Sequence, residues 1–169
     1  MNIMQMTYRE LKDEIAKIIP RNIEYEVDLE AGNIAIITQN MKPFTGQDGL
    51  IGKIARKVKR KIVLRTPIDS MMDMDQAQDV IRDIIPEEAD ITEMYFDACY
   101  REVIIQCKQP GTAIGRRGEN SNAIRDKTGW AVKVERTPPL FSKTVHDIRM
   151  YRQTHGDERR KLLKDFGLN

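Results

Sequence analysis

The sequence predicts an α+β protein made of two consecutive copies of one small unit, each a three-stranded sheet covered by helices, followed by short C-terminal helices. Three observations carry that reading. Hydrophobic patterning runs helix, strand, strand, glycine turn, helix, strand, and then repeats in the same order. Landmarks of the two runs share one offset: Asp28 and Asp97, Ile34 and Val103, Gly46 and Gly115, and Gly49 and Gly118 are each 69 positions apart. The Ile-Ile-Pro helix ends at 18–20 and 84–86 differ by 66 and the Arg-Thr-Pro strand ends at 65–67 and 136–138 by 71, a drift that small loop insertions produce. Self-similarity of this kind means two copies of one supersecondary unit, here 1–69 and 70–139, with a helical extension over 140–169.

Tyr8, Leu11, Ile15 and Ile18 recur at helical spacing until Pro20 forbids continuation. Ile23, Tyr25, Val27 and Leu29 alternate with polar residues as a half-buried strand does, Ala31-Gly32-Asn33 supplies a turn, and Ile34-Ala35-Ile36-Ile37 returns as a hairpin. Pro43 and Gly46-Gln47-Asp48-Gly49 break the chain before a helix with Ile51, Ile54, Ala55 and Val58 on one face, and Ile62-Val63-Leu64 closes the unit. In the second copy Ala77, Val80, Ile81 and Ile84 make the first helix, and Ile91 to Phe96 pairs with Val103 to Cys107 through Asp97-Ala98-Cys99-Tyr100. A helix from Glu119 to Thr128 stops at Gly129, and Trp130 to Val134 is the last strand. Beyond Pro138-Pro139, Ser142 caps a helix carrying Val145, Ile148 and Tyr151; Gly156 interrupts it, and Leu162, Leu163 and Phe166 face a second short helix before Gly167.

With 40% hydrophobic and 32% charged residues and no apolar run near the roughly 18 residues of a membrane span, the composition is that of a soluble globular protein. Met1-Asn2-Ile3-Met4 lacks the features of a secretory signal, so a cytoplasmic location without membrane partners is expected. Cys99 and Cys107 read as a buried pair of reduced thiols. The net charge of +2 says little, but its distribution says more. Leu50 to Arg65 holds seven basic residues (Lys53, Arg56, Lys57, Lys59, Arg60, Lys61, Arg65) and no acidic one, whereas Ser70 to Asp97 holds nine acidic residues and one basic, Arg82. Lys108 to Arg136 carries seven positive charges against three negative. Any one such block is ordinarily a solvated face. The last contains a glycine turn, and that coincidence points to a nucleic-acid footprint.

The turn is Ile114-Gly115-Arg116-Arg117-Gly118-Glu119. Two glycines three apart let the backbone approach a sugar-phosphate strand, and the helix after them offers unpaired N–H groups to phosphate. A Gly-x-x-Gly turn between two short helices, with a strand before and after, is the RNA clamp of KH domains, which holds about four nucleotides of single strand. Alone it is weak, since such glycines also mark plain corners; the flanking strands strengthen it. A helix and two strands ahead of the turn is the prokaryotic (type II) order, so two tandem type II KH domains are expected. Ile114, Gly115, Arg116, Arg117, Gly118, Ile124, Arg125 and Lys133 are the candidate RNA-binding residues, with Ile114 and Ile124 flooring a groove beside the last strand. In the first copy Asp48 stands where the second has Arg117, a substitution worth something like 1 kcal/mol against phosphate, so that copy reads as degenerate. Its face of Lys53, Arg56, Lys57 and Arg60 is a possible auxiliary contact.

Catalytic groups are not found. His146 and His155, nine apart, fall on opposite sides of a continuous helix, and no cysteine completes a zinc set. Asp73 and Asp75 precede a helix, where aspartate is most often a cap. Gly46 to Lys53 has the wrong spacing for a nucleotide-binding loop and lacks its hydroxyl residue. Met71, Met72 and Met74 read as flexible packing between the units.

The runs Lys108-Gln-Pro-Gly-Thr-Ala-Ile-Gly-Arg-Arg-Gly-Glu, Asp126-Lys-Thr-Gly-Trp, Val134-Glu-Arg-Thr-Pro-Pro and Ser142-Lys-Thr resemble the N-terminal tandem KH region of the archaeal homologues of the cleavage and polyadenylation specificity factor. The resemblance runs from about Tyr8 and is most specific between Gly111 and Pro139. It implies a clamp for single-stranded RNA, rich in uridine, that serves RNA 3′-end cleavage and transcription termination. In that family a zinc-dependent metallo-β-lactamase/β-CASP ribonuclease comes next in the chain. Asn169 falls where the nuclease begins, so no zinc, other cofactor or catalytic role transfers to a residue here. The expected partners are RNA, an attached or partner ribonuclease and the transcription machinery, with the oligomeric state open. The alternative is a KH-fold scaffold for protein interaction in which RNA binding is incidental.

Overall fold

Thr7 starts the first helix through a capping box: its hydroxyl accepts from the Glu10 N–H at 3.3 Å while the Glu10 carboxylate accepts from the Thr7 N–H at 2.8 Å. The computed structural model describes residues 6–165 apart from 31 and 47. Met1 to Met4, Ala31, Gln47, Phe166 and Gly167 lie outside the described residues, as does the side chain of Leu163. The chain divides into two compact units at Arg65/Thr66.

The first unit runs α1 (Tyr8–Ala16), β1 (Glu26–Glu30), β2 (Asn33–Ile37), a 3-10 turn (Lys42–Phe44), α2 (Leu50–Val58) and β3 (Ile62–Arg65). Strand β2 is central, antiparallel to β1 and parallel to β3, with Ile34 opposite Ile62. A parallel neighbour requires a crossover, which α2 supplies. The apolar stripes foreseen on both helices, Leu11 and Ile15 from α1 and Ile54 and Val58 from α2, close over Val27, Ile34 and Ile36 with Phe44 beneath. Three residues of 3-10 helix are all that Pro43-Phe44-Thr45 fits before the turn.

The second unit repeats that plan at greater length: α3 (Met74–Ile84), β4 (Ile91–Asp97), β5 (Glu102–Cys107), α4 (Pro110–Ile114), α5 (Glu119–Thr128) and β6 (Ala131–Arg136). Here β5 is central, antiparallel to β4 and parallel to β6. Ala77 and Ile81 of α3, Ala113 of α4 and Ile124 of α5 pack on Phe96, Val103, Ile105 and Trp130. Trp130, fully buried, lies edge-on to Phe96 with ring centroids 5.0 Å apart and donates its indole N–H to the Met72 carbonyl at 2.8 Å. Met71 is buried in the same core, so these methionines belong to the second unit.

Three expectations are corrected. The C-terminal region is one helix, α6 (Lys143–Asp165), with no break at Gly156. That glycine is buried, and a Cβ on it would stand 3.4 Å from Ala98, so its small size serves a close approach of α6 to the β4–β5 turn. Ser142 does cap α6, accepting from the Val145 N–H at 3.4 Å. Helix α6 lies over the sheet face opposite α3 and α5: Arg149 pairs with Glu135 (2.8 Å), Arg152 with Asp97 (2.6 Å), and Gln153 accepts from the Phe96 N–H. Asp73 occupies the N-cap position of α3 without capping it; its carboxylate instead accepts from the buried Arg160 of α6 at 2.7 Å. Cys99 is exposed, and only Cys107 is buried. Met71 is buried in the second core, and its Cα lies 3.1 Å from where a Cβ on Gly129 would stand.

Candidate nucleic-acid interface

Helix α4 ends at Gly115, whose φ of 76° and ψ of 175° turn the chain outward. A Cβ there would come within 2.9 Å of the Asn120 side chain and 2.8 Å of Glu119 Cγ, so only glycine fits. Arg116–Gly118 then form a single 3-10 turn, closed by the Gly118 N–H on the Gly115 carbonyl at 3.2 Å. Within it Arg117 is held in the left-handed region at φ 54°, ψ 25°, a conformation that costs a non-glycine residue about 1 kcal/mol or more. Gly118 is the N-cap of α5 at φ 78° and offers no side-chain cap.

Two side chains brace this loop, and sequence reasoning missed both. Asn120 donates to the Thr112 carbonyl at 3.1 Å, tying α5 back to α4. The Glu119 carboxylate accepts from the Arg116 N–H at 3.3 Å. The available signal was position: both lie in the first turn of a helix, where polar side chains reach back to backbone groups of the preceding segment.

Arg116 and Arg117 are exposed at the tip, and among the described residues no carboxylate pairs with either guanidinium. Ile114, 37% exposed, flanks them. The remaining candidates are not gathered with them. Ile124 is fully buried in the core and supports the groove from within instead of lining it. Arg125 is mostly covered, its Nη2 3.4 Å from Asp126. Lys133 faces the other side of the sheet. Side chains alternate along β6, so Val132 and Val134 pack toward Ile124 while Lys133 shares a cleft with Val145, Ile148 and Arg149 of α6 and pairs with Glu135 at 2.9 Å. The apolar members of Trp130-Ala131-Val132-Lys133-Val134 carried that information. Burial raises the Glu135 carboxyl pKa, but hydrogen bonds from Lys133 and Arg149 outweigh it and hold the group below its ordinary value.

In the first unit the matching turn is closed by the same bond, from the Gly49 N–H to the Gly46 carbonyl at 3.2 Å, and Asp48 is exposed at its tip. Lys53, Arg56 and Lys57 are exposed on α2, and Arg60 is exposed just beyond its C-cap Lys59. No group of three or more His, Cys, Asp or Glu side chains among the described residues could hold a metal ion, and no described helix is long and apolar enough to cross a membrane.

Residues 5–72 match the family described as "Transcription termination factor FttA, KH domain". The chain is 33% identical over 162 residues to transcription termination factor FttA of Thermococcus kodakarensis, covering 95% of this chain and 25% of that one. It is 36% identical over 159 residues to the factor of the same name from Methanothermobacter thermautotrophicus, covering 94% and 25%. It thus spans about a quarter of the curated relatives it matches. A crystal structure of APE1850 covers 78% of this chain at 16% identity with a TM-score of 0.28, too loose a likeness to argue from. Residues 5–72 thus match a KH-domain family of archaeal transcription termination factor FttA, and the chain is similar to those factors across nearly its whole length.

Proposed function

We propose that this chain is a single-stranded RNA-binding module built from two tandem KH domains, and that the second grips RNA at Gly115 to Gly118. The observation that carries this reading is the pair Arg116 and Arg117, exposed and without an ion-pair partner among the described residues, on a Gly-x-x-Gly turn between α4 and α5. Their charges and the loop amides hold phosphates; bases lie along the groove between α5 and β6, against Ile114, Val132 and Val134. The RNA is rich in uridine, in keeping with the family resemblance. In the cytoplasm the module presents a transcript's 3′ region to a β-CASP ribonuclease, attached or a partner, and to the transcription machinery, a role supported by the name of the relatives.

The test is titration of oligouridylate at physiological salt against the native chain and a folded Arg116→Asp, Arg117→Asp variant. Native binding near micromolar, about −8 kcal/mol, is expected. Losing two charge-assisted hydrogen bonds at about 1.5 kcal/mol each weakens the variant roughly 100-fold. Equal binding by both would move the site elsewhere. A protein-docking role is favoured by one observation, the exposed Leu140, Phe141, Val145, Ile148 and Tyr151 on and before α6, and it predicts indifference to those two arginines.

A further inference from the structure

The two units place their positive charge in opposite parts of one plan. The second has Arg116 and Arg117 in the turn, and its next helix is close to neutral; the first has Asp48 in the turn and a cationic helix. At the offset of 69, Lys53, Arg56, Lys57 and Arg60 of the first unit correspond to Asn122, Arg125, Asp126 and Gly129. So the cationic stripe is particular to the first unit, the one whose residues match the KH-domain family.

The stripe is unusual for a solvated helix face. Positions 53, 56 and 57 are spaced by three and four within α2, so their side chains share one face over about 6 Å, and Arg60 follows just past the left-handed C-cap Lys59. Lys53 repels both Arg56 and Lys57, and like charges at this spacing destabilise a helix. Ordinary surface helices intersperse carboxylates. Here there is no acidic residue from Leu50 to Arg65, and the one carboxylate among the described residues that reaches the stripe is Glu14 of α1, 3.2 Å from Lys57 and also bound by Lys17. Arg56 is oriented along the helix by its Nε on the Gly52 carbonyl at 3.0 Å. Lys53 and Arg60 are exposed with no ion-pair partner among the described residues. The opposite face is fixed by Ile54 and Val58 in the core, so α2 presents this row and cannot roll to disperse it.

We infer that Lys53 and Arg56, with Lys57 beside them and Arg60 just past the helix end, form a second RNA site on the first unit: a phosphate track along the exposed face and C-terminal end of α2 that holds the backbone of a single strand without reading its bases. The inference rests on the RNA-binding reading of the chain but not on the Gly115 to Gly118 clamp. It makes the first unit an active half of the module, adding a contact of its own to RNA longer than the four or so nucleotides of one clamp.

The experiment compares the whole native chain, the triple variant Lys53→Gln, Arg56→Gln, Arg60→Gln, and the Arg116→Asp, Arg117→Asp variant, with circular dichroism confirming that each is folded. The triple variant leaves the Lys57–Glu14 pair intact. The probes are labelled oligouridylates of about four nucleotides, one clamp's length, and roughly five times that. The triple variant should bind the short probe as the native chain does and the long probe more weakly. Its dependence of log affinity on log salt should be shallower by about 2, three phosphates at roughly 0.7 each on single-stranded nucleic acid. A charge-preserving variant, Lys53→Arg with Arg60→Lys, should restore native behaviour. Unchanged affinity and salt slope on the long probe in the triple variant would overturn the track while leaving the clamp in place. Loss in the triple variant with none in the arginine-pair variant would uphold the track and remove the clamp. A native chain that binds neither probe would remove both.

Discussion

The two units close their glycine turns with the same hydrogen bond at the same length, 3.2 Å from the second glycine's N–H to the first glycine's carbonyl, yet differ in what they carry there. In the second, a five-residue helix precedes the turn and two arginines occupy it; in the first, three residues of 3-10 helix precede it and an aspartate stands at its tip. The difference teaches that this backbone plan specifies a position for charge without specifying the charge. One copy presents cations from a loop, where they can wrap a strand, and the other from a helix, where they can only line it.

The largest expected effects test whether the turns are held alike. Gly49 has φ −60°, but a Cβ would sit 2.4 Å from the Phe44 carbonyl oxygen, a backbone clash that cannot be relieved by a rotamer change. Its counterpart Gly118 has φ 78° with only Asn122 nearby, at 3.8 Å. Gly49→Ala should therefore cost about 3 kcal/mol in denaturant unfolding and Gly118→Ala about 1 kcal/mol. A reversed order would mean that the first turn is the looser of the two.

Next in size is Arg117→Gly. It removes a cation from the clamp and should weaken RNA binding about tenfold, as loss of one charge-assisted hydrogen bond does. It also relieves the left-handed strain at φ 54°, so stability should hold or rise by about 0.5 kcal/mol. A joint fall in stability and affinity would show that Arg117 holds the loop together.

A pH effect belongs to the second unit, whose sheet is covered by α6. Because the Glu135 carboxyl is held below 4.5 in the folded state, the unfolded chain takes up its proton first. Its contribution is complete above about pH 4.5 and is lost as pH falls through the lower folded value. Acid titration followed by fluorescence of Trp130 should show that loss, and Glu135→Gln should flatten it. The smallest effect concerns Glu119, whose exposed carboxylate takes up the Arg116 amide. Glu119→Gln should tighten RNA binding about threefold, in the range of a single exposed charge interaction. Weaker binding would make Glu119 a brace the clamp needs.

The repeat was legible because both copies keep their apolar rows: Leu11 and Ile15, Ile54 and Val58, Ala77 and Ile81 all point inward as their spacing requires. The turn between α4 and α5 was legible because glycines at left-handed φ leave a spelled-out mark. Side-chain partners were not. Charge alone assigns Lys133 to the groove, but β6 turns it toward α6, and only the strand's alternation tells the two faces apart. Propensity makes Gly156 a breaker, whereas close packing on Ala98 keeps the helix whole. The hold of Arg160 on Asp73, 87 residues away, has no local signature at all.

The central claim, that RNA meets the second unit at its glycine turn and the first along α2, is tested most directly by following backbone amide resonances while oligouridylate is added to the native chain. The largest shifts should appear at Gly115 to Glu119, with a second group from Lys53 to Arg60. Shifts confined to the exposed apolar residues of α6, such as Val145, Ile148 and Tyr151, or none in either predicted group, would contradict it.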